Sequence, residues 1–485
     1  MDDGQRHRRL SDEEARSRLV MWVATAIWLV IFTRLAIGLH NRFLTHTFDL
    51  GIFDQGLWLM SRFEAPFVTL RGLNLFADHS SYVMVLLVPL YWIWPDIRVL
   101  MVFTVFVVAA GAPLTYYLGR ALGLRPMLSA AVAVSYLLHP ATQWLVWDNF
   151  HPEIIALPVL IGMTLAFVRG RPGWGLALGL LALTVKEDAA LVVVPLALVC
   201  GWLSRRWRPA LSLAAIGIVV FIVQFAVLLP TLSPTGETAY SSRYARFGGN
   251  AFEIVGGVVL DPEDVIEELA TGTRLEYLAE TLGPAPTALL SPGALAAGGP
   301  ITLANMLSSH FYQHNIRYHY TAYLLAVIFI SAPLGTRWLA RRVPEDRHRW
   351  LAALIVAAAL VGSVLSGPGI VRGVWGRPVD TTVIEETIAL IPGDAVITVD
   401  TNLATHLSHR AGVYRVPNPW IRLDWSVEGD DESLRDPLIV EWVALRPERI
   451  SNDELHGRLD TTLRDDASWE IVVDHPDIVL FRRSP

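Results

Sequence analysis

The chain has 485 residues, of which 53% are hydrophobic and 18% charged, with a formal net charge of −7. An apolar excess of that size, gathered in long runs, excludes an ordinary soluble enzyme and describes a polytopic membrane protein. No basic domain accompanies the negative balance, which excludes nucleic acid as a partner, and the one cysteine, Cys200, excludes an intramolecular disulfide framework.

A polar N-terminal tail (residues 1–18) precedes the first apolar run, 19–39. That run has no small-residue cleavage site after it and reads as a retained helix rather than a removable signal. Further spans are expected at 99–118, 127–145, 152–168, 173–185, 189–203, 209–230, 318–334 and 349–366, several of them near the roughly 20 residues a bilayer requires. The two flanking Lys186, the only lysine in the chain, are shorter, so they are tilted, extended or re-entrant. Residues 82–94 form a short apolar stretch ending at Trp94-Pro95-Asp96 and read as an interfacial or partly inserted helix that does not cross separately.

With the N-terminus cytoplasmic, Arg6, Arg8, Arg9, Arg16 and Arg18 lie inside. The loops with Arg120 and Arg125, with Arg169 and Arg171, with Arg205, Arg206 and Arg208, and with Arg337 to Arg349 then lie inside as well. The loops 40–98, 147–151, 186–188 and 231–317 and the tail 367–485 fall outside, in a plasma-membrane protein. Residues 19–366 form the transmembrane domain. In the outer loop 231–317 a helix is expected at 262–282, with Asp261 as N-cap and Pro262 at its first position, and the low-complexity stretch 284–300 reads as a flexible loop. The tail changes character: strands at 395–400, 438–444, 470–474 and 478–481 and helices at 381–390, 402–408 and 452–463 make a small α/β domain.

Five polar clusters stand at the outer ends of the spans. Asp49 and Asp54 follow the first span and read either as helix-capping and surface acids or as a general base or metal ligand; a carboxylate beside a bilayer is costly unless paired, hydrated or used. Asp148, Asn149, His151 and Glu153 crowd one turn, offering oxygen ligands and an imidazole together, or a helix cap with a dipole-favoured Glu153. Lys186, Glu187 and Asp188 make a local ion pair or a phosphate contact with its positioning acids. His79 closes the first outer loop. Arg243, Tyr244, Arg246, His310, His314, Arg317, Tyr318, His319 and Tyr320 form a basic, aromatic set; an interfacial belt accounts for the tyrosines, whereas arginine forks suit phosphate. There is no zinc spacing, P-loop, Gly-x-Ser-x-Gly or dinucleotide fingerprint.

The stretch Phe48-Asp49-Leu50-Gly51-Ile52-Phe53-Asp54-Gln55, the turn Phe150-His151-Pro152-Glu153 and Lys186-Glu187-Asp188 together resemble a bacterial and archaeal family of predicted membrane proteins of unknown function. The resemblance runs through most of the chain, and that family looks related to the GT-C class of multispanning glycosyltransferases, which use polyprenyl-phosphate sugars at the outer face. It implies an all-α GT-C-like bundle of about nine to ten spans with a small C-terminal α/β domain. It also implies a catalytic acid in the first outer loop, Asp49 by position, with Asp54 second. Asp148-Asn149 stand where oligosaccharyltransferases carry Asp-Asn-Glu, but the Glu arrives three positions late, at Glu153, with His151 between. A divalent cation, Mg or Mn, on Asp148, His151 and Glu153 is therefore an open expectation. Lys186, Arg243, Arg246, Arg317 and His319 would meet the donor phosphate, and His79, Glu187 and Asp188 would complete the pocket. The tail lacks the Trp-Trp-Asp acceptor motif, which argues against protein asparagine as acceptor. The expected activity is transfer of a sugar from a polyprenyl-phosphate donor to a cell-envelope glycan, lipid or protein acceptor. A transporter or lipid flippase, and a membrane-anchored binding or assembly protein, stay open as alternatives.

Overall fold

A 39-residue helix, Asp3–Asn41, opens the chain in the computed structural model, which describes residues 3–234, 241–249, 251–369, 379–426 and 438–484. The side chains of Arg6, Arg8 and Arg9, and the expected tail segments 370–378 and 427–437, lie outside the described residues. Among the described residues six helices are long and apolar enough to cross a membrane: Ser11–Asn41, Arg98–Ala121, Glu187–Ser204, Trp207–Leu232, His319–Ala340 and Glu345–Ser366. Tyr82–Ile93, Pro126–Leu138, Glu153–Val168 and Pro172–Ala182 are shorter apolar helices.

Burial separates the inner helices from the outer ones. Every residue from Ala322 to Pro333 is buried, as expected of a helix that is apolar all round and packed on all sides; it rests on Arg98–Ala121, Pro126–Leu138 and Glu153–Val168. In the apolar 18-residue stretches of Trp207–Leu232 and Glu345–Ser366 only 22% of the residues are buried, and these helices turn Ile218, Val219, Leu360 and Val364 outward, the surface a hydrocarbon solvent would cover. At one end of the bundle Arg120 pairs with Glu14, and Arg125 with Glu13 and Glu345. The opposite end carries the polar connectors.

Several expected elements differ in detail. The span at 127–145 is two helices, Pro126–Leu138 and Pro140–Trp147, because Pro140 has no N–H to donate; His139 turns extended and its ring accepts from the Ala141 N–H. The helix at 262–282 breaks into Pro262–Leu269 and Gly272–Leu282, and the Asp261 side chain makes no cap. Residues 284–300 are not a flexible loop: Pro286–Leu290, Pro292–Leu295, Ala296–Gly298 and Gly299–Leu307 are short helices with Ala288, Ala294 and Ala297 buried. Small residues make that packing possible, since a Cβ on Gly335 would stand 1.7 Å from the Thr287 carbonyl oxygen.

Two short strands, β1 (Phe67–Val68) and β2 (Leu73–Asn74), pair in the first connector. The C-terminal domain holds β3 (Ile397–Val399), β4 (Val413–Arg415), β5 (Trp442–Leu445), β6 (Trp469–His475) and β7 (Ile478–Arg483) in the order β4-β3-β5-β7-β6. β3 runs parallel to both neighbours, with Ile397 opposite Val413 and Trp442, while β7 is antiparallel to β5 and β6. The helix Glu454–Asp465, capped by Asp453, lies between β5 and β6 in the chain. β4 carries no expected strand; its three residues are too few to show a period.

The domain is bolted to the first connector. Gln55 donates to the Arg410 carbonyl at 3.0 Å and to Thr69 at 2.8 Å, and Thr69 donates to the Val413 carbonyl at 2.7 Å. Arg71 reaches the carbonyls of Asp424 and Ser426. His40, at the end of the first helix, stacks on His406 at 3.9 Å.

Candidate functional site

Three backbone irregularities bring the polar clusters together. After the first helix the chain makes one wide turn, Thr47–Gly51, in which Asp49 has φ 70° and ψ −75°. This is the positive-φ γ-turn, rare for a residue with a Cβ and costing about 1–3 kcal/mol. The helix Pro140–Trp147 ends at Asp148, and Asn149 at φ 69° reverses the chain so that His151 faces back toward Asp49. Lys186 is extended between Pro172–Ala182 and the short turn Glu187–Ala189, and His319 opens the most enclosed helix.

The side chains then meet. His151 Nε2 lies 3.1 Å from Asp49 Oδ2 but out of line for a hydrogen bond, so this buried nitrogen has no hydrogen-bond partner. Its ring stacks on His319 at 3.6 Å. The His319 backbone N–H donates to Asp148 Oδ2 at 2.9 Å, with His319 Nδ1 3.3 Å from the same oxygen. Lys186 Nζ donates to Glu153 Oε1 at 2.5 Å; both residues are buried. His79 Nδ1 is 2.7 Å from Glu187 Oε1. Asp49, His79, Asp148, His151, Glu153, Lys186, Arg243, Arg317 and His319 all line one cavity of about 1150 Å³ between bundle and C-terminal domain. The 39% exposure of the Asp49 side chain is exposure to that cavity.

Charge follows from this crowding. Burial raises the Asp49 carboxyl, but the His151 imidazolium outweighs it and holds Asp49 below its ordinary value. Burial, together with the like charge of Asp49, pushes Asp148 up to about 7 against the pull of His151. Burial opposes charge on His151, yet Asp49 and Asp148 overcome it and push the imidazole up to about 9.

Not every expected residue arrives. Asp54 is fully buried and does not line the cavity; it accepts from the Tyr91 hydroxyl at 2.6 Å and the Ser408 hydroxyl at 2.5 Å, and faces His409 Nε2 at 3.1 Å. It joins domain to bundle. Arg246 also lies off the cavity, held by Asp264, Glu267 and Glu268. Glu187 and Asp188 sit behind the lining, Glu187 fixing His79 and the Ser80 N–H. The expected metal set separates, because Lys186 takes Glu153 and the His319 N–H takes Asp148. Asp49, His151 and His319 offer ligand atoms within 4.8 Å of one another instead. Sequence reasoning missed the far wall, Asp400, Arg415, Arg449, Asp453 and His456; Asp453 falls inside the helix expected at 452–463 but is its N-cap, and nothing local points to a cavity.

An apolar bundle whose connectors fold into a cavity lined by Lys186, Arg243 and Arg317 beneath a small α/β domain describes a polytopic membrane protein. The chain belongs to DUF2079, a family of predicted membrane proteins, which matches residues 39–480. The fold is similar to that of ArnT from Cupriavidus metallidurans. Bound to undecaprenyl phosphate, ArnT is 15% identical with a TM-score of 0.54, covering 96% of this chain and 97% of that one. In the apo state it is 14% identical with a TM-score of 0.51, covering 94% and 98%. The Archaeoglobus fulgidus oligosaccharyltransferase in the apo form is 10% identical with a TM-score of 0.44, covering 89% and 70%. At such identities the likeness to ArnT speaks to fold alone, and that to the oligosaccharyltransferase carries no argument. No curated protein matches the chain.

Proposed function

We propose that this protein is an integral-membrane glycosyltransferase that moves a sugar from a polyprenyl-phosphate donor to an acceptor hydroxyl at the outer face of the membrane. The observation that carries the reading is the convergence of a strained, ionised Asp49 with Lys186, Arg243, Arg317 and His319 on one cavity. Asp49 takes the acceptor proton as the acceptor oxygen attacks the anomeric carbon. The bond from that carbon to the phosphate oxygen breaks on the opposite face, with inversion, and the polyprenyl phosphate leaves with the electron pair. Base assistance of this kind is worth about 10²–10⁴-fold; fixed cations in a water-poor site stabilise the growing phosphate charge. A lipid carrier held by the bilayer also accounts for the lack of a nucleotide-binding motif.

A divalent cation fits Asp49, His151 and His319, whose ligand atoms lie within 4.8 Å of one another and include the buried His151 Nε2, which has no hydrogen-bond partner. Two nitrogens and a carboxylate suit Mn better than Mg. Bound there, it would neutralise charge on the phosphate. Orientation belongs to the same proposal: Arg120 and Arg125 gather at the end of the bundle away from the cavity, so the positive-inside rule puts the cavity and C-terminal domain outside.

Membranes containing the protein, given a panel of polyprenyl-phosphate sugars, should release free polyprenyl phosphate, and Asp49→Asn should slow release about 10²–10⁴-fold. Undiminished release by that variant removes Asp49 as the base; no release from any donor removes the donor class.

A further inference from the structure

The cavity has two walls of different character. The bundle side sets Lys186, Arg243 and Arg317 and the carboxylates Asp49, Asp78, Asp148 and Glu153 among the aromatic rings of Phe53, Trp144 and Trp147. The C-terminal domain mixes signs, with Arg415, Arg449 and His456 beside Asp400, Asp424 and Asp453. No Phe, Tyr or Trp of the domain's described residues lines the cavity, and a hydrocarbon gains nothing against so many charges. Closely spaced donors and acceptors match hydroxyl groups, which both give and accept hydrogen bonds.

His456 is the centre of this wall. Asp400, 1% exposed, accepts from the Arg446 and Thr401 N–H groups at 2.9 and 3.2 Å and holds His456 Nε2 at 3.0 Å, which fixes the ring. The other nitrogen, Nδ1, lies 3.2 Å from Asp453 Oδ1 but out of line for a hydrogen bond. His456 is 8% exposed, so its Nδ1 is a buried polar atom without a hydrogen-bond partner on the wall of a cavity. Such atoms are costly unless something fills their valence.

We propose that this wall is the acceptor subsite and that the acceptor presents a neutral, hydroxyl-rich glycan end, gripped by His456, Asp453 and Arg449. The assignment deepens the glycosyl-transfer reading and rests on it for what the bound glycan does. The test uses the full chain in lipid nanodiscs, probed with an array of neutral oligosaccharides, acidic oligosaccharides and peptides, and separately with undecaprenyl phosphate. Neutral glycans should bind, and Asp453→Asn and His456→Gln should each weaken them roughly tenfold or more, with undecaprenyl phosphate binding unchanged. Should His456→Gln fail to fold, the exposed Arg449→Gln reads the same wall without touching the core. Binding of undecaprenyl phosphate without any neutral glycan overturns the proposal. So does glycan binding that the folded variants leave intact, or capture of acidic glycans or peptides alone. Neutral glycan binding without undecaprenyl phosphate binding supports this wall and overturns the donor reading by itself.

Discussion

Replacing Lys186 by Met separates its contribution to the fold from its contribution to chemistry. Lys186 and Glu153 are 5% and 3% exposed and 2.5 Å apart. Removing the ammonium leaves a carboxylate buried with its nearest counter-charge gone, at a cost of roughly 3–5 kcal/mol. That is about 10²–10⁴-fold in the folded-to-unfolded ratio. Removing both charges, as Lys186→Met with Glu153→Gln, leaves no uncompensated charge, so most of the loss should return as a coupling energy of similar size. The assay is thermal and chemical unfolding of the four proteins in one detergent, followed by binding of undecaprenyl phosphate. The double variant should fold and yet bind the lipid phosphate poorly. A double variant no more stable than Lys186→Met refutes the pairing argument, and one that folds and binds the lipid at full strength refutes Lys186 as a phosphate contact.

Asp54→Ala should cost roughly 2–4 kcal/mol by stranding Tyr91, Ser408 and His409, and hydrogen exchange should quicken around 405–415; a folded Asp54→Asn variant that loses all transfer would return Asp54 to the catalytic candidates. His151, raised from 6.5 to about 9 in the folded protein, contributes stability that is fully present below pH 6.5 and lost as pH rises through 9. The stability gap between wild type and His151→Gln should therefore narrow across that window, and a gap independent of pH contradicts the ion-paired imidazole. Titration with Mn²⁺ should release a proton from His151 and tighten with rising pH up to about 9, and His319→Ala should weaken it; calorimetry showing no binding ends the metal proposal.

The parts of the site legible in the sequence are those where one short segment already breaks a local rule. Asp49, the Asp148–Glu153 turn and Lys186 are charges at the ends of apolar runs, and each needs a partner wherever the chain goes. What no segment could announce is which charges meet. Asp54 looks the equal of Asp49 because its partner Ser408 is 354 residues away, and Glu153 looks like a metal ligand until Lys186 claims it. Pro140 itself signals the break in 127–145, but the apolar run that continues across it hides the signal. In 284–300 the alanines and glycines look like flexible filler, yet in a crowded bundle small size is what lets backbones touch. The short strand β4 and the wall around His456 exist only through pairing with distant chain, so composition and period carry no trace of them.

The solitary lysine gives the protein a built-in reporter. Its Nζ is the only side-chain amine in 485 residues and it opens onto the cavity, so an amine-directed acylating reagent has one side-chain target. With Glu153 2.5 Å away, that amine reacts only when the ion pair opens, so mass spectrometry of one peptide would read how often it opens and how far a lipid lodged against Lys186 prevents it.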